Sequence, residues 1–378
     1  MKLAPLAPIR ILDFSWVLAG PFATRLVADF GAEVIKVQPP MPENADSFSR
    51  AYDQNWNRNK RGITLDLAKP EGVALARKLI GLSDAVVENF SPRVMDNWGL
   101  TYGSLRGVRR DIILLSLSAM GHDGPWRDYV GFGPTIQAFS GLTAQTAYPG
   151  GKPLGIGISL ADHVAGLYAS LALQAALEYR RKTGRGQFID LSQLESMTSL
   201  LSDAFLGEAL PASAPCGVYP CRGVDRWCAI EVRNEEEWAN LKTALDNPAW
   251  AERRIFASPE KRLTHRKELD RQLAEWTSQF SAEEVMATLQ KCGVPAGVVQ
   301  DAFDLSQDPQ LAARGFFLRA RDRYRQDAVS EASPFRLGDV APVYRPAPGR
   351  GQDNDYVYRR LLGLKKLEIE KLKKAGVI

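Results

Sequence analysis

Asp162 is the residue in this sequence best placed to do covalent chemistry. It stands where a Pro/Gly-dense run, Pro149-Gly150-Gly151-Lys152-Pro153-Leu154-Gly155-Ile156-Gly157, approaches a strongly helical segment. Such a run cannot be regular helix and reads as a loop able to press its backbone against a ligand. Two roles fit a carboxylate at this junction. It can cap the helix by accepting a backbone N–H, which is worth about 1 kcal/mol. It can also act as a nucleophile, because free N–H groups at a helix start can hold an anionic intermediate. Position alone leaves both open. Two further polar stretches, Asn57-Arg58-Asn59-Lys60-Arg61 and Glu88-Asn89-Phe90-Ser91-Pro92-Arg93, are either solvated loops or ligand contacts. The second is better placed, since ligands of open α/β sheets bind beyond the carboxyl ends of strands. His122, within Gly121-His122-Asp123-Gly124-Pro125, reads as a turn residue rather than a catalyst. Cys216, Cys221 and Cys228 lack paired C-x-x-C spacing, so they read as ordinary thiols and no metal site is expected.

The element that must position Asp162 is a long helix. Val164, Leu167, Tyr168, Leu171, Ala175 and Tyr179 recur at helical spacing, Leu173 and Leu177 make the other side apolar, and Gly184 follows as a stop. A helix apolar nearly all round is expected to be buried. Upstream the pattern alternates: strand 9–12, a turn at Ala19-Gly20-Pro21, helix 22–30, strand 34–37, strand 62–67, helix 70–82, and strands 85–88 and 112–118. Alternation of this kind predicts a parallel, doubly wound sheet. The G-x-G-x-x-G fingerprint is missing from the first unit, so a dinucleotide redox enzyme is not indicated. Beyond residue 208 the texture changes to short strands and separate helices, including a capping box at Ser281-Ala282-Glu283-Glu284. The expected division is a large Rossmann-like domain over 1–207, a linker over 208–216, a smaller α+β domain over 217–318, and a C-terminal segment over 319–378 that returns to the large one. A chain of 378 residues with 45% hydrophobic content can fill two such cores. The net charge of +4 comes from scattered basic residues, which argues against nucleic-acid binding. No signal peptide or long apolar span is apparent, so a cytoplasmic protein without a membrane partner is expected.

With these residues in view, the chain resembles the class III CoA-transferase family, the carnitine CoA-transferase and formyl-CoA transferase group. The resemblance runs in order through Asp13-Phe14-Ser15, Ala19-Gly20-Pro21, Gly31-Ala32-Glu33-Val34-Ile35-Lys36-Val37, Asn59-Lys60-Arg61, Leu65-Asp66-Leu67, Glu88-Asn89-Phe90, Ser140-Gly141-Leu142, residues 181–187, Gly217-Val218-Tyr219-Pro220-Cys221, Asp308-Pro309-Gln310 and Leu361-Leu362-Gly363-Leu364. It implies that Asp162 is the nucleophile, forming first a mixed anhydride with the donor acyl group and then an aspartyl-CoA thioester. Coenzyme A thioesters would be substrates, a carboxylic acid the acceptor, and no cofactor would be bound permanently. The resemblance further implies two ring-shaped subunits threaded into an interlocked dimer, either a homodimer or a hetero-oligomer with a homologue. CoA would lie along Val17-Leu18-Ala19, Leu65-Asp66-Leu67-Ala68, Asn89-Phe90-Ser91 and Val130-Gly131-Phe132-Gly133. Lys60, Arg61 and Arg93 are our own candidates for its phosphates.

Three departures mark this chain. Leu18 stands where formyl-CoA transferases have glutamine, Pro39 and Asn97 replace arginines that contact CoA there, and their glycine-rich small-domain loop has no clear counterpart near 217–223. Leu18, Trp16, Phe132 and Tyr219 could together form an apolar pocket for a larger or aromatic acid, with succinyl-CoA as donor. The rival class is α-methylacyl-CoA racemase, which needs a histidine at the place of Phe132 to move a second proton. A third reading is a non-catalytic subunit paired with an active homologue.

Overall fold

The computed structural model describes residues 4–41, 50–147, 151–206, 213–320, 328–338, 340, 342 and 344–378. Six short apolar runs form its central sheet: β1 (Arg10–Asp13), β2 (Glu33–Gln38), β3 (Arg61–Thr64), β4 (Ala85–Glu88), β5 (Ile113–Ser118) and β6 (Phe188–Ser192). They are all parallel, in the order β3-β2-β1-β4-β5-β6. Side chains alternate across a strand, so each strand feeds two cores. Ile11, Val34, Val87 and Leu115 join one, and Leu12, Ile35, Val86 and Leu114 the other.

The first face is covered by α1 (Ala19–Asp29), while α2 (Arg50–Asn57) packs beside α1. The second is covered by α3 (Pro70–Gly81) and residues near the C-terminus. Shorter segments α4 (Arg93–Asn97), α5 (Tyr102–Val108), α6 (Gly133–Phe139) and α7 (Leu142–Gln145) lead to the long α8 (Leu160–Thr183), which packs on α1. The strand order reverses at β1, so the crevice between the carboxyl ends of β1 and β4 is the switch point where such sheets take ligands.

Two expectations need correction. Helix α1 begins at Ala19 rather than Phe22. Pro21 fits inside the first turn, where the N–H it lacks has no intrahelical partner to lose. Helix α8 is not buried all round. Its packed face carries the small residues Ala161, Ala165, Gly166, Ala169 and Ser170, whereas Leu167, Tyr168 and Leu171 are exposed. Close approach explains the choice of face: a Cβ on Gly166 would lie 2.7 Å from Phe22 Cδ1 and 2.9 Å from the Ala19 carbonyl oxygen.

The chain divides into two compact units, residues 1–202 with 315–378, and residues 203–314. Most of the expected linker, residues 208–212, lies outside the described residues. In the second unit β7 (Cys216–Pro220), β8 (Trp227–Glu231) and β9 (Ala296–Val298) form an antiparallel sheet. The helix Ala282–Lys291 starts with the Ser281/Glu284 capping box. Tyr219 is 3% exposed in this unit's core and donates its hydroxyl to Asp270 Oδ1 at 2.7 Å, so it does not line an open pocket. From Gly315 the chain belongs to the first unit again, where Tyr358 donates to the Thr64 carbonyl oxygen at 2.5 Å and the Asp66 N–H to that of Val377 at 2.8 Å. Among the described residues no helix is long and apolar enough to cross a membrane.

Candidate active site

Asp162 is the third residue of α8, behind Ser159 at the cap position, so it is not the N-cap. Its carboxylate lies close enough to its own backbone N–H and to that of Ala19, the first residue of α1, for both to favour its ionised form. These are first-turn donors with no carbonyl partner inside their helices. The start of α6 closes a third side: a Cβ on Gly133 would lie 2.5 Å from Asp162 Oδ2. Glycine is therefore required there by contact with the carboxylate. By contrast Gly155 and Gly157, in the loop expected to press on a ligand, have nothing among the described residues within 4 Å of an added Cβ. The tight glycine approach comes from 131–133 instead.

Burial raises the Asp162 carboxyl to about 6, with His163 and the two backbone donors pulling the other way. The side chain is thus ionised at neutral pH but more basic than a solvated carboxylate. The loop that presents Ala19 is fixed in turn. Asn89, just beyond β4, accepts from the Trp16 N–H at 2.8 Å and donates to the Trp16 carbonyl oxygen at 2.9 Å. Val17 then takes φ +62, a left-handed conformation that costs a β-branched residue energy and persists because both sides are held.

The other sequence candidates separate into outward and inward residues. Phe132 is 54% exposed and Trp16 52%, with Val130 and Arg93 also exposed. Ala68 is exposed; Val17, Asp66, Asn89, Phe90, Ser91 and Gly131 are half-buried. Leu18, Leu65 and Leu67 are core, so only their backbones remain to meet a ligand, and Leu18 does not join an apolar pocket. Lys60 does not face a ligand either. Its Nζ donates to Asp13 Oδ2, the Pro21 carbonyl oxygen and Asn57 Oδ1, each at 3.0 Å, which uses all three donors. Arg61 is engaged by Glu33 and Asp353 and lies over the Tyr356 ring. The stretch 57–61 is a buried clamp because the carboxylates beneath it, Asp13 and Asp29, need counter-charge. Among the described residues no group of three or more His, Cys, Asp and Glu is placed to hold a metal.

His122 is more than a turn residue. Its Nε2 is 2.6 Å from Ser116 Oγ, and Ser116 is the registered β5 neighbour of the buried Glu88, whose ionised form the hydroxyl favours. The sequence shows Glu88 as the end of a strand and the start of a polar stretch, with nothing to link it to His122. The partners that make it notable lie on other segments.

The sequence model of CoA-transferase family III matches residues 6–354. The chain belongs to CoA-transferase family III. The succinyl-CoA–D-citramalate CoA-transferase of Chloroflexus aurantiacus is 32% identical to this family III chain over 99% of it and 98% of the relative. The alpha subunit of succinyl-CoA–L-malate CoA-transferase from the same species is 30% identical, over 99% and 92%. Among solved structures, a CaiB/BaiF family protein from Brucella suis superposes with a TM-score of 0.87 at 29% identity, covering 95% of this chain and all of that one.

Proposed function

We propose that this chain moves CoA from an acyl-CoA donor to a carboxylic acid, with Asp162 as the nucleophile. The observation that carries the reading is a buried carboxylate, raised to about 6, beside first-turn N–H groups from two helices. The ionised Oδ attacks the thioester carbonyl of the donor, and the carbon–sulfur bond breaks to release CoA thiolate, leaving a mixed anhydride on Asp162. The thiolate attacks the aspartyl carbonyl and expels the donor carboxylate, giving an aspartyl-CoA thioester. The acceptor carboxylate then runs the two steps in reverse, freeing Asp162. Each step exchanges one activated acyl bond for another, so the scheme needs neither ATP nor a permanently bound cofactor. The Ala19 N–H is the donor best supported for the oxyanions, with the Gly131–Gly133 backbone beside it.

In this reading the CoA contacts come from the backbone of Val17-Leu18-Ala19 and of residues 65–68, from Asn89-Phe90-Ser91, and from Val130 to Gly133, with Arg93 for a phosphate. Residues 1–207 carry the CoA-binding domain, 208–216 the linker, 217–318 the small domain, and 319–378 the returning segment. Trp16 and Phe132, both exposed, favour an acceptor with an apolar body, while the relatives point to succinyl-CoA as donor. Phe132 cannot carry a proton, which favours transfer over racemisation. The exposed Leu167, Tyr168 and Leu171 of α8 suit a surface covered by a second, interlocked copy. A homologue could replace that copy, as the alpha-subunit relative suggests. The test is CoA exchange from succinyl-CoA and acetyl-CoA against a panel of mono- and dicarboxylic acids. Transfer to at least one acid supports the reading. α-Proton exchange in deuterated water without any acceptor, and no transfer, would overturn it.

A further inference from the structure

Glu88 ends β4 and is 2% exposed, and among the described residues no cation is bonded to it. Its Oε2 accepts the Phe90 N–H at 2.8 Å. Its other side meets Ser116, its registered neighbour on β5, whose Oγ lies 2.6 Å from His122 Nε2. His122 is partly exposed, stands edge-on to the Phe188 ring, and donates its backbone N–H to Asp190 Oδ2 at 3.1 Å. A buried carboxyl and an imidazole at the surface thus lie on either side of one hydroxyl. The two ends of this chain root two different loops: residues 89–91, which clamp Trp16, and residues 121–132, which lead to Gly133 and Asp162.

We propose that Glu88, Ser116 and His122 form a proton-operated latch that sets how firmly the 89–91 loop, and through Asn89 the Trp16–Ala19 loop, is held for CoA. Ionised Glu88 accepts from both the Phe90 N–H and the Ser116 hydroxyl, so the loop is gripped. Protonated Glu88 keeps only a neutral, weaker hold on Phe90, because hydrogen bonds to a charged acceptor are roughly twice as strong. The proton leaves by way of Ser116 to His122 and solvent. Burial is the main cause raising the Glu88 carboxyl to about 7, and the charges acting on it directly, Asp190 from β6 and Asp96 from α4, raise it further. The Ser116 hydroxyl and the Phe90 N–H act in the opposite direction. The latch therefore works near neutral pH. Glu88, Ser116 and His122 are positioning residues, since they act through the loop.

The inference rests on the CoA-transfer reading only for its ligand, so the first measurement needs none. Hydrogen exchange of the peptide carrying the Phe90 amide, corrected for intrinsic rates, is followed from pH 6 to 8.5 in the full-length protein. Protection is expected to rise about fivefold or more with pH in the wild type, to stay flat in Glu88→Gln, and to rise at a higher midpoint in Ser116→Ala, which loses the donor that favours ionised Glu88. The dissociation constant of free CoA, by calorimetry, should follow the same three patterns; titration of the CoA phosphates is common to all proteins and cancels in the comparison. If Glu88→Gln fails to fold, the midpoint shift in Ser116→Ala decides alone. Unchanged pH dependence in the folded variants overturns the latch, and a response in exchange without one in CoA affinity overturns its role in binding. Absence of CoA binding in the wild type, with the exchange pattern intact, counts against the transferase reading and leaves the loop latch standing.

Discussion

Two buried aspartates lie on either side of the loop that leads into α1, and their surroundings give them opposite characters. Asp13, at the end of β1, is fully buried among Lys60 at 3.0 Å, Lys36 at 3.6 Å and the hydroxyls of Ser15 and Thr24. Burial alone would raise its carboxyl, but Lys36, Lys60 and the hydroxyl donors hold it well below the usual range. Burial also pulls both lysines below theirs. Among the described residues Asp162 is also buried but is flanked by backbone N–H groups and the neighbouring His163 rather than by ammonium groups, and burial moves its carboxyl up to about 6. A carboxylate neutralised by two ammonium groups is a poor nucleophile and a good structural anchor. One without a paired ammonium group keeps its reactivity. The local charge inventory, more than burial or residue type, separates the anchor from the candidate nucleophile.

The largest effect expected from this contrast is on turnover. Asp162→Asn should lower kcat for CoA transfer by about 10³-fold or more while the circular dichroism spectrum stays native. Asp13→Asn should act on the fold, because two buried ammonium groups are left without their partner; a loss of about 3–5 kcal/mol is expected in denaturant unfolding. If Asp13→Asn left stability intact, the anchor role would be wrong. Gly133→Ala comes next. Its methyl would lie 2.5 Å from Asp162 Oδ2, and displacement of the carboxylate should cost about 10–100-fold in kcat with little change in stability.

The smallest effect is the dependence of stability on pH, which has opposite sign at the two sites. Asp162 has a raised folded-state pKa, so its contribution is intact below about pH 4 and lost as pH climbs through about 6. Asp162→Asn should therefore be more stable than the wild type at pH 8, by about 1–3 kcal/mol, and lose that advantage at pH 4. Asp13 is lowered, so its contribution is present above the ordinary carboxylate range and fades in acid below it. Melting temperatures of the wild type and Asp162→Asn at pH 4 and 8 give the comparison directly. An equal difference at both values would contradict it.

Much of the frame was legible in the sequence, because strand runs such as Val34-Ile35-Lys36-Val37 and the stop at Gly31 are local signals. The prominence of Asp162 was legible too, from its place where a loop meets a helix. Which face of α8 packs was not. Periodicity marks Leu167 and Leu171 as apolar, but the small residues around Gly166 are what allow α1 to approach. Lys60 likewise looked like a phosphate ligand until its partner, Asp13, appeared 47 residues away. The link from Glu88 through Ser116 to His122 is hidden for the same reason: strand registry brings those groups together, and a single sequence does not display registry.

The central claim, that the Asp162 side chain becomes an acyl and then a thioester carrier, is tested most directly by chemical trapping. The protein is incubated with succinyl-CoA, treated with hydroxylamine, digested and mapped by mass spectrometry. The account predicts a hydroxamate on the peptide carrying Asp162, absent from Asp162→Asn and absent without the thioester. A protein that exchanges CoA at full rate while Asp162 stays unmodified, or an adduct of equal yield in Asp162→Asn, would contradict it.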